Sequence, residues 1–251
     1  MKKPRKNTCI RIYFLRAAFK LACYYGHFDI AEWLYNLGKK LNSPLIIHED
    51  NNEFTFQYTC QHGHLETAKL LYRVKIESKS PINIHASNEY AFRWTCSNGH
   101  LEVAKWLYHL GKQNDSPINI HICEENVFMQ TCKNGYMDVA KWLYHLGTEF
   151  NSSINIHSHN EYAFRWSCEN GHFEIIKWLY NLGKKINSPV DIHADFEHAF
   201  RGACSNGHLK IAKWLCHLGS RRLCFRGCLR KWTFRNCQVV ILFGNRNRFA
   251  N

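Results

Sequence analysis

The apolar positions of this chain fall into a pattern that recurs along most of its length. Each recurrence holds a Phe and, four residues later, a Cys: Phe19 and Cys23, Phe56 and Cys60, Phe92 and Cys96, Phe128 and Cys132, Phe164 and Cys168, Phe200 and Cys204. Residues four apart share one face of a helix, so each pair predicts a short helix with a buried side. Three residues after each Cys stands a Gly (Gly26, Gly63, Gly99, Gly135, Gly171, Gly207), the usual C-terminal stop. A second helix is predicted directly after it. In the third recurrence it reads Leu101, Val103, Ala104, Trp106, Leu107, Leu110, a broad apolar stripe with Glu102, Lys105 and His109 off it. Gly38, Gly111, Gly147, Gly183 and Gly219 are expected to close this second helix, and Lys75 in the second recurrence to leave a looser cap. The first helix is expected to open on an N-cap turn such as Ser87-Asn88-Glu89.

The Gly positions are spaced 37, 36, 36, 36 and 36 residues apart. Six units therefore cover residues 12–219. Between helix pairs lies a polar loop with Ser-Pro in most units, then a short arm such as Ile118-Asn119-Ile120-His121. That arm is too brief for a free strand and fits an extended loop. One unit cannot bury its own apolar face, whereas stacked units share a continuous core. Burying one Phe, Leu or Trp contributes roughly 1.5–3 kcal/mol, so several per layer make the stack plausible as an independent fold. The expected fold is all-α: a helix-pair solenoid of about six repeats with extended loops. Its units lie near 12–47, 48–84, 85–120, 121–156, 157–192 and 193–219. A basic segment, 1–11, precedes them and a basic, divergent tail, 220–251, follows.

The string Asn98-Gly99-His100-Leu101-Glu102-Val103-Ala104-Lys105-Trp106-Leu107 resembles the hallmark of ankyrin repeats. The resemblance spans residues 12–219. The 36-residue period, the Ala-Phe-Arg opening and the Lys-Trp-Leu-Tyr close are similar to ankyrin proteins encoded by giant viruses of amoebae. The family's Thr-Pro-Leu-His opening is absent; Tyr90-Ala91-Phe92-Arg93 and its counterparts stand there, with Phe keeping the core. The resemblance implies that the Thr–His hydrogen bonding that fixes the family's turn is lost here. It also implies a protein-binding role, for a viral chain on host or viral proteins in the host cytoplasm. Some such relatives carry an F-box or BTB domain, for which the segment before the first unit leaves no room.

Charge alters the picture once it is located. The formal net charge is +13. Residues 1–16 hold six basic and no acidic side chains, and 220–251 hold eight basic and none acidic. The remaining 17–219 carry nineteen basic against twenty acidic residues. The repeats are thus neutral, which weakens a nucleic-acid surface on them. No apolar run is long enough to span a membrane, and Arg11 and Arg16 interrupt any secretory core. A reducing, intracellular setting and a monomeric chain are expected.

The twelve Cys and sixteen His invite a metal reading. His48, His85, His121, His157 and His193 form a ladder at one repeat position. Layers stand about 8–10 Å apart, while zinc ligands lie about 2 Å from the ion, so adjacent rungs cannot share one. Each such His is read instead as bonding its own turn. Disulfides between phased cysteines fail on the same distance, and these residues are read as small buried packing groups. Cys224, Cys228 and Cys237 with His217 match no zinc motif well. No catalytic fingerprint occurs, so the expectation is no enzyme, no catalytic or metal residues and no cofactor.

Function then falls to a surface. Five residues before each Gly stand Leu21, Tyr58, Trp94, Gln130, Trp166 and Gly202; six before stand Lys20, Gln57, Arg93, Met129, Arg165 and Arg201. Aromatic residues and Arg dominate interface energetics. Tyr58, Arg93, Trp94, Arg165, Trp166 and Arg201 are therefore the candidate protein-binding stripe, with packing of Trp94 and Trp166 between layers as the alternative. The reading is a non-catalytic protein–protein interaction scaffold. The alternative is a nucleic-acid-associated protein that uses its basic terminal segments, where Arg alternates with Phe225, Trp232 and Phe234.

Overall fold

The computed structural model describes residues 6–41, 52–79, 81–149 and 152–219. They form twelve α-helices, with no strand among the described residues. The chain divides between Asn119 and Ile120 into two compact units. The first contains α1 (Lys6–Tyr24), α2 (Phe28–Lys40), α3 (Asn52–Gln61), α4 (Leu65–Glu77), α5 (Ala86–Ser97) and α6 (Leu101–Gln113). The second contains α7 (Ile122–Lys133), α8 (Met137–Glu149), α9 (Ser158–Glu169), α10 (Phe173–Lys185), α11 (Ala194–Ser205) and α12 (Leu209–Leu218). Odd-numbered helices are the first of each pair and, within each unit, pack on their odd-numbered neighbours; even-numbered helices are the second. Since α1 begins at Lys6, the division placed after residue 11 falls inside a helix.

The phased Phe and Cys form the core. Phe19, Phe56, Phe92, Phe128 and Phe164 are fully buried, and Phe200 nearly so. All six phased cysteines are buried free thiols, and burial pushes those of Cys23, Cys60, Cys96, Cys132 and Cys168 far above the usual thiol range. Second helices meet across layers through edge-on aromatic pairs: Tyr72 with Trp106 in the first unit, and Tyr144 with Trp178 and Tyr180 with Trp214 in the second.

Each first helix ends as expected. Gly99 has φ +81, and the N–H of His100 reaches back to the carbonyl of Thr95 at 3.0 Å, the bonding of a Schellman cap. The same residues also join the layers. His64 lies over Gly26 and His100 over Gly63; in the second unit, His172 lies over Gly135 and His208 over Gly171. A Cβ on Gly63 would stand 2.4 Å from the His100 ring. The preceding Asn completes the joint. Asn98 Nδ2 donates to the Gln61 carbonyl at 2.9 Å, while Asn170 and Asn206 donate to those of Lys133 and Glu169 at 2.8 Å.

Two expectations at helix ends are corrected. Gly219 does cap α12, while α2 runs two residues past Gly38. Gly111, Gly147 and Gly183 likewise do not stop the second helices, which run two residues past them. Their missing side chain admits the returning loop: a Cβ on any of them would sit 2.7 Å from the carbonyl oxygen of Ser116, Ser152 or Ser188. The turn past the helix is made instead by Asp115 and Asn187 at positive φ. At Lys75 the helix is not shortened, since α4 has the same thirteen residues as α6.

The second correction concerns Ser87-Asn88-Glu89. These residues are not an N-cap turn. All three have left-handed φ of 55, 57 and 57, as do His159, Asn160 and Glu161, and Asp195, Phe196 and Glu197. Such a conformation costs about 1–2 kcal/mol per non-glycine residue, so something must hold it. His85 Nδ1 lies 2.8 Å from Glu89 Oε1, and His157 and His193 hold Glu161 and Glu197 at 2.7 Å. His85, His157 and His193 therefore do bond their own turns. Two histidines of the ladder also reach the next loop: His85 Nε2 is 2.8 Å from Ser116 Oγ and His121 Nε2 is 2.6 Å from Ser152 Oγ. His48 lies outside the described residues.

Candidate interaction surface

The outward face of a first helix follows from its inward one. Phe and Cys, seven and three residues before the Gly, point into the core. The position five before the Gly lies two residues from each, about 200° around the helix. It must therefore face away, joined by the positions nine and two before the Gly.

In the unit of residues 1–119 this face is aromatic. Trp94 is 42% exposed, and its ring lies 5.8 Å from that of Tyr90. Tyr58 is half-buried, stacked on Tyr24 at 5.0 Å and set against Phe54 at 4.3 Å. Phe54, Tyr25 and Leu21 are more than half exposed. The stripe read from the sequence omitted Tyr24, Tyr25, Phe54 and Tyr90. Tyr90 and Phe54 could have been found, because they precede Trp94 and Tyr58 by four residues and share their face.

In the unit of residues 120–251 the equivalent positions are more enclosed. Trp166 is half-buried among Tyr162, His198 and Lys133, whose Nζ lies 4.2 Å above its ring. Trp94 thus faces outward, and Trp166 packs between neighbouring side chains. His198 also pairs with Glu169 at 3.3 Å, and its pKa is held below the ordinary imidazole value by burial first and then by the Arg165 charge.

The arginines one position earlier turn toward the left-handed turns. Arg93 Nε donates to the Asn88 carbonyl at 2.7 Å, and a terminal N–H to that of Ser87 at 3.3 Å. Arg165 repeats this with Asn160 and His159 at 2.6 and 3.0 Å, and adds an ion pair with Asp195. Arg165 is only 8% exposed. Its guanidinium is committed to holding the turn, so within the stripe it acts as a positioning residue. Arg201 is half-buried and makes neither carbonyl bond through its Nε, which has no partner among the described residues.

A layered set of helix pairs, a Gly-His joint at every described step within each unit and an outward aromatic face are now in view. The family model described as ankyrin repeats (3 copies) matches residues 19–120, 95–190 and 128–222. The chain belongs to the ankyrin-repeat family. Its all-helical architecture is the expected ankyrin-type helix-pair solenoid. No curated protein matches the chain as a relative. Ankyrin repeats generally mediate protein–protein interaction, and ankyrin-repeat proteins are typically non-catalytic scaffolds. Among the described residues no three His, Cys, Asp or Glu side chains are placed to hold a metal ion, and no helix is long and apolar enough to cross a membrane. Cys224, Cys228, Cys237 and the basic tail lie outside the described residues.

Proposed function

We propose that this ankyrin array is a non-catalytic scaffold that captures a protein partner on the outward face of its first helices. Tyr58, Arg93 and Trp94 form the contact in one unit, and Trp166 and Arg201, with Arg165 behind them, in the other. The observation that supports this most is the exposure of Trp94, set against Tyr90, on the same outward face as the ring cluster of Tyr24, Tyr58 and Phe54. Exposed apolar patches of this kind mark binding surfaces, and aromatic anchors contribute most of an interface's energy. In this reading the partner is a host or viral protein, met by a monomeric chain in the host cytoplasm; the resemblance of the unit grammar to giant-virus ankyrin proteins is its support.

Affinity capture from an amoebal lysate, read by mass spectrometry, tests the reading. A Tyr58→Ala and Trp94→Ala double variant is expected to lose the specific partner while its helical circular dichroism is kept. A capture profile identical to that of the unaltered chain overturns it.

A further inference from the structure

The array's own packing supplies a template for a ligand. Arg165 follows the buried Phe164 in α9, and one of its guanidinium nitrogens reaches the next layer, where the Asp195 carboxylate receives it. Arg201 is the same residue at the same place in α11. Beyond Gly219 the phased grammar stops, and no counterpart of Asp195 follows in sequence. The two acids of Arg201's own layer are already engaged, Asp195 with Arg165 and Glu197 with His193. Glu197 is also the last acidic residue in the sequence; residues 198–251 hold eleven Lys and Arg and no Asp or Glu.

We propose that the C-terminal layer takes an acidic segment of a partner protein, and that Arg201 receives its Asp or Glu carboxylate as Arg165 receives Asp195. The inference rests on the reading of the first-helix face as a protein-binding surface. Its chemistry follows from charge complementarity. Arg201 Nε is buried without a hydrogen-bond partner among the described residues. Two guanidinium N–H groups side by side grip a carboxylate as a fork, with shorter and stronger bonds than neutral pairs make. Lys210 and Lys213, both exposed on α12, add positive charge with no acid on their own helix. Phe196, in the left-handed turn before Arg201, is 87% exposed where the preceding layer has Asn160, and offers apolar surface beside the charge.

The full chain is titrated into a fluorescein-labelled peptide of alternating Asp and Gly, and anisotropy is read. The Asp peptide is expected to bind, and the same peptide with Asn for Asp is not. Arg201→Gln should weaken the Asp peptide at least about tenfold, the scale of one charge-assisted hydrogen bond. Lys69→Gln, on α4 and paired with Glu66, should leave it unchanged. If Arg201→Gln fails to fold by circular dichroism, Arg201→Lys serves instead: it keeps the charge, loses the fork and should bind more weakly than the unaltered chain. Equal binding by the folded Arg201 variant overturns the proposal. So does labelled oligothymidylate binding with an equal dependence on Arg201, which would make the site a nucleic-acid contact. Failure of the Tyr58 and Trp94 capture leaves this titration untouched, and loss of the peptide site alone leaves capture by those two residues standing.

Discussion

The imidazole of His100 rests on Gly63 so closely that the smallest side chain would collide with it: a Cβ there meets Nδ1 at 2.4 Å. Gly63 also has φ +79, so two separate constraints fall on one residue. Gly207 shares only one of them, with φ +76 and nothing among the described residues within 4 Å of its would-be Cβ.

The pair of glycines therefore separates backbone strain from contact. Gly207→Ala is expected to cost about 1–2 kcal/mol, the strain of a left-handed alanine. Gly63→Ala should cost clearly more, because the His100 ring must also leave its seat. Urea unfolding followed by circular dichroism reads both. Equal losses would show that the ring contact contributes nothing.

Stability should fall in mild acid. Burial, followed by the charges of neighbouring histidines, holds His64 and His100 below the ordinary imidazole value, and burial does the same for His172. Between the depressed value and the ordinary one the unfolded chain binds more protons than the folded one. The stabilisation is complete above about pH 6.5 and is lost as the pH drops through the folded values. The urea midpoint should accordingly be lower at about pH 5.5 than at about pH 7.5, and a His100→Asn variant should narrow the gap. A midpoint that does not move between these conditions would refute the link.

Arg165 and Arg93 occupy one repeat position but should not be equally costly to lose. Arg165 is buried, with two carbonyls and the Asp195 carboxylate as partners, whereas Arg93 is partly solvated with two carbonyls only. Arg165→Ala is expected to cost about 2–3 kcal/mol and Arg93→Ala about 1. Thermal melts of the two variants provide the check, and indistinguishable melts would show that Asp195 adds nothing. This is also why Arg165 is a poor choice for a variant meant to disturb binding and spare the fold.

The helices were legible in the sequence because burial is periodic. Phe92 and Cys96 sit four apart, and that spacing alone fixes a buried face. The meaning of particular glycines was less legible. Gly99 reads as a stop and is one, but Gly111 has the same appearance and serves the approach of the Ser116 carbonyl, a contact the local sequence does not encode. Ser87-Asn88-Glu89 looks like a cap because those residue types favour caps. Its left-handed path depends on His85 before it and Arg93 after it, and only folded geometry shows that both point at it. The outward stripe was found where it depends on helix angle, at Trp94 and Tyr58. Arg165 was harder to read, since one residue's step around the helix carries it toward the turn and the next layer.

The Asn-Gly-His joint has a consequence for how such a chain can change. Each described joint engages only the adjoining layer, and does so through the same few positions of the 36-residue unit. A whole unit can be duplicated, lost or exchanged with its seams already complementary on both sides. The positions five residues before each glycine are not part of that joint and differ from unit to unit, from Leu21 to Trp94 to Gly202. Descendants of one ancestral repeat can thus diverge in what they recognise while inheriting an unaltered way of holding together.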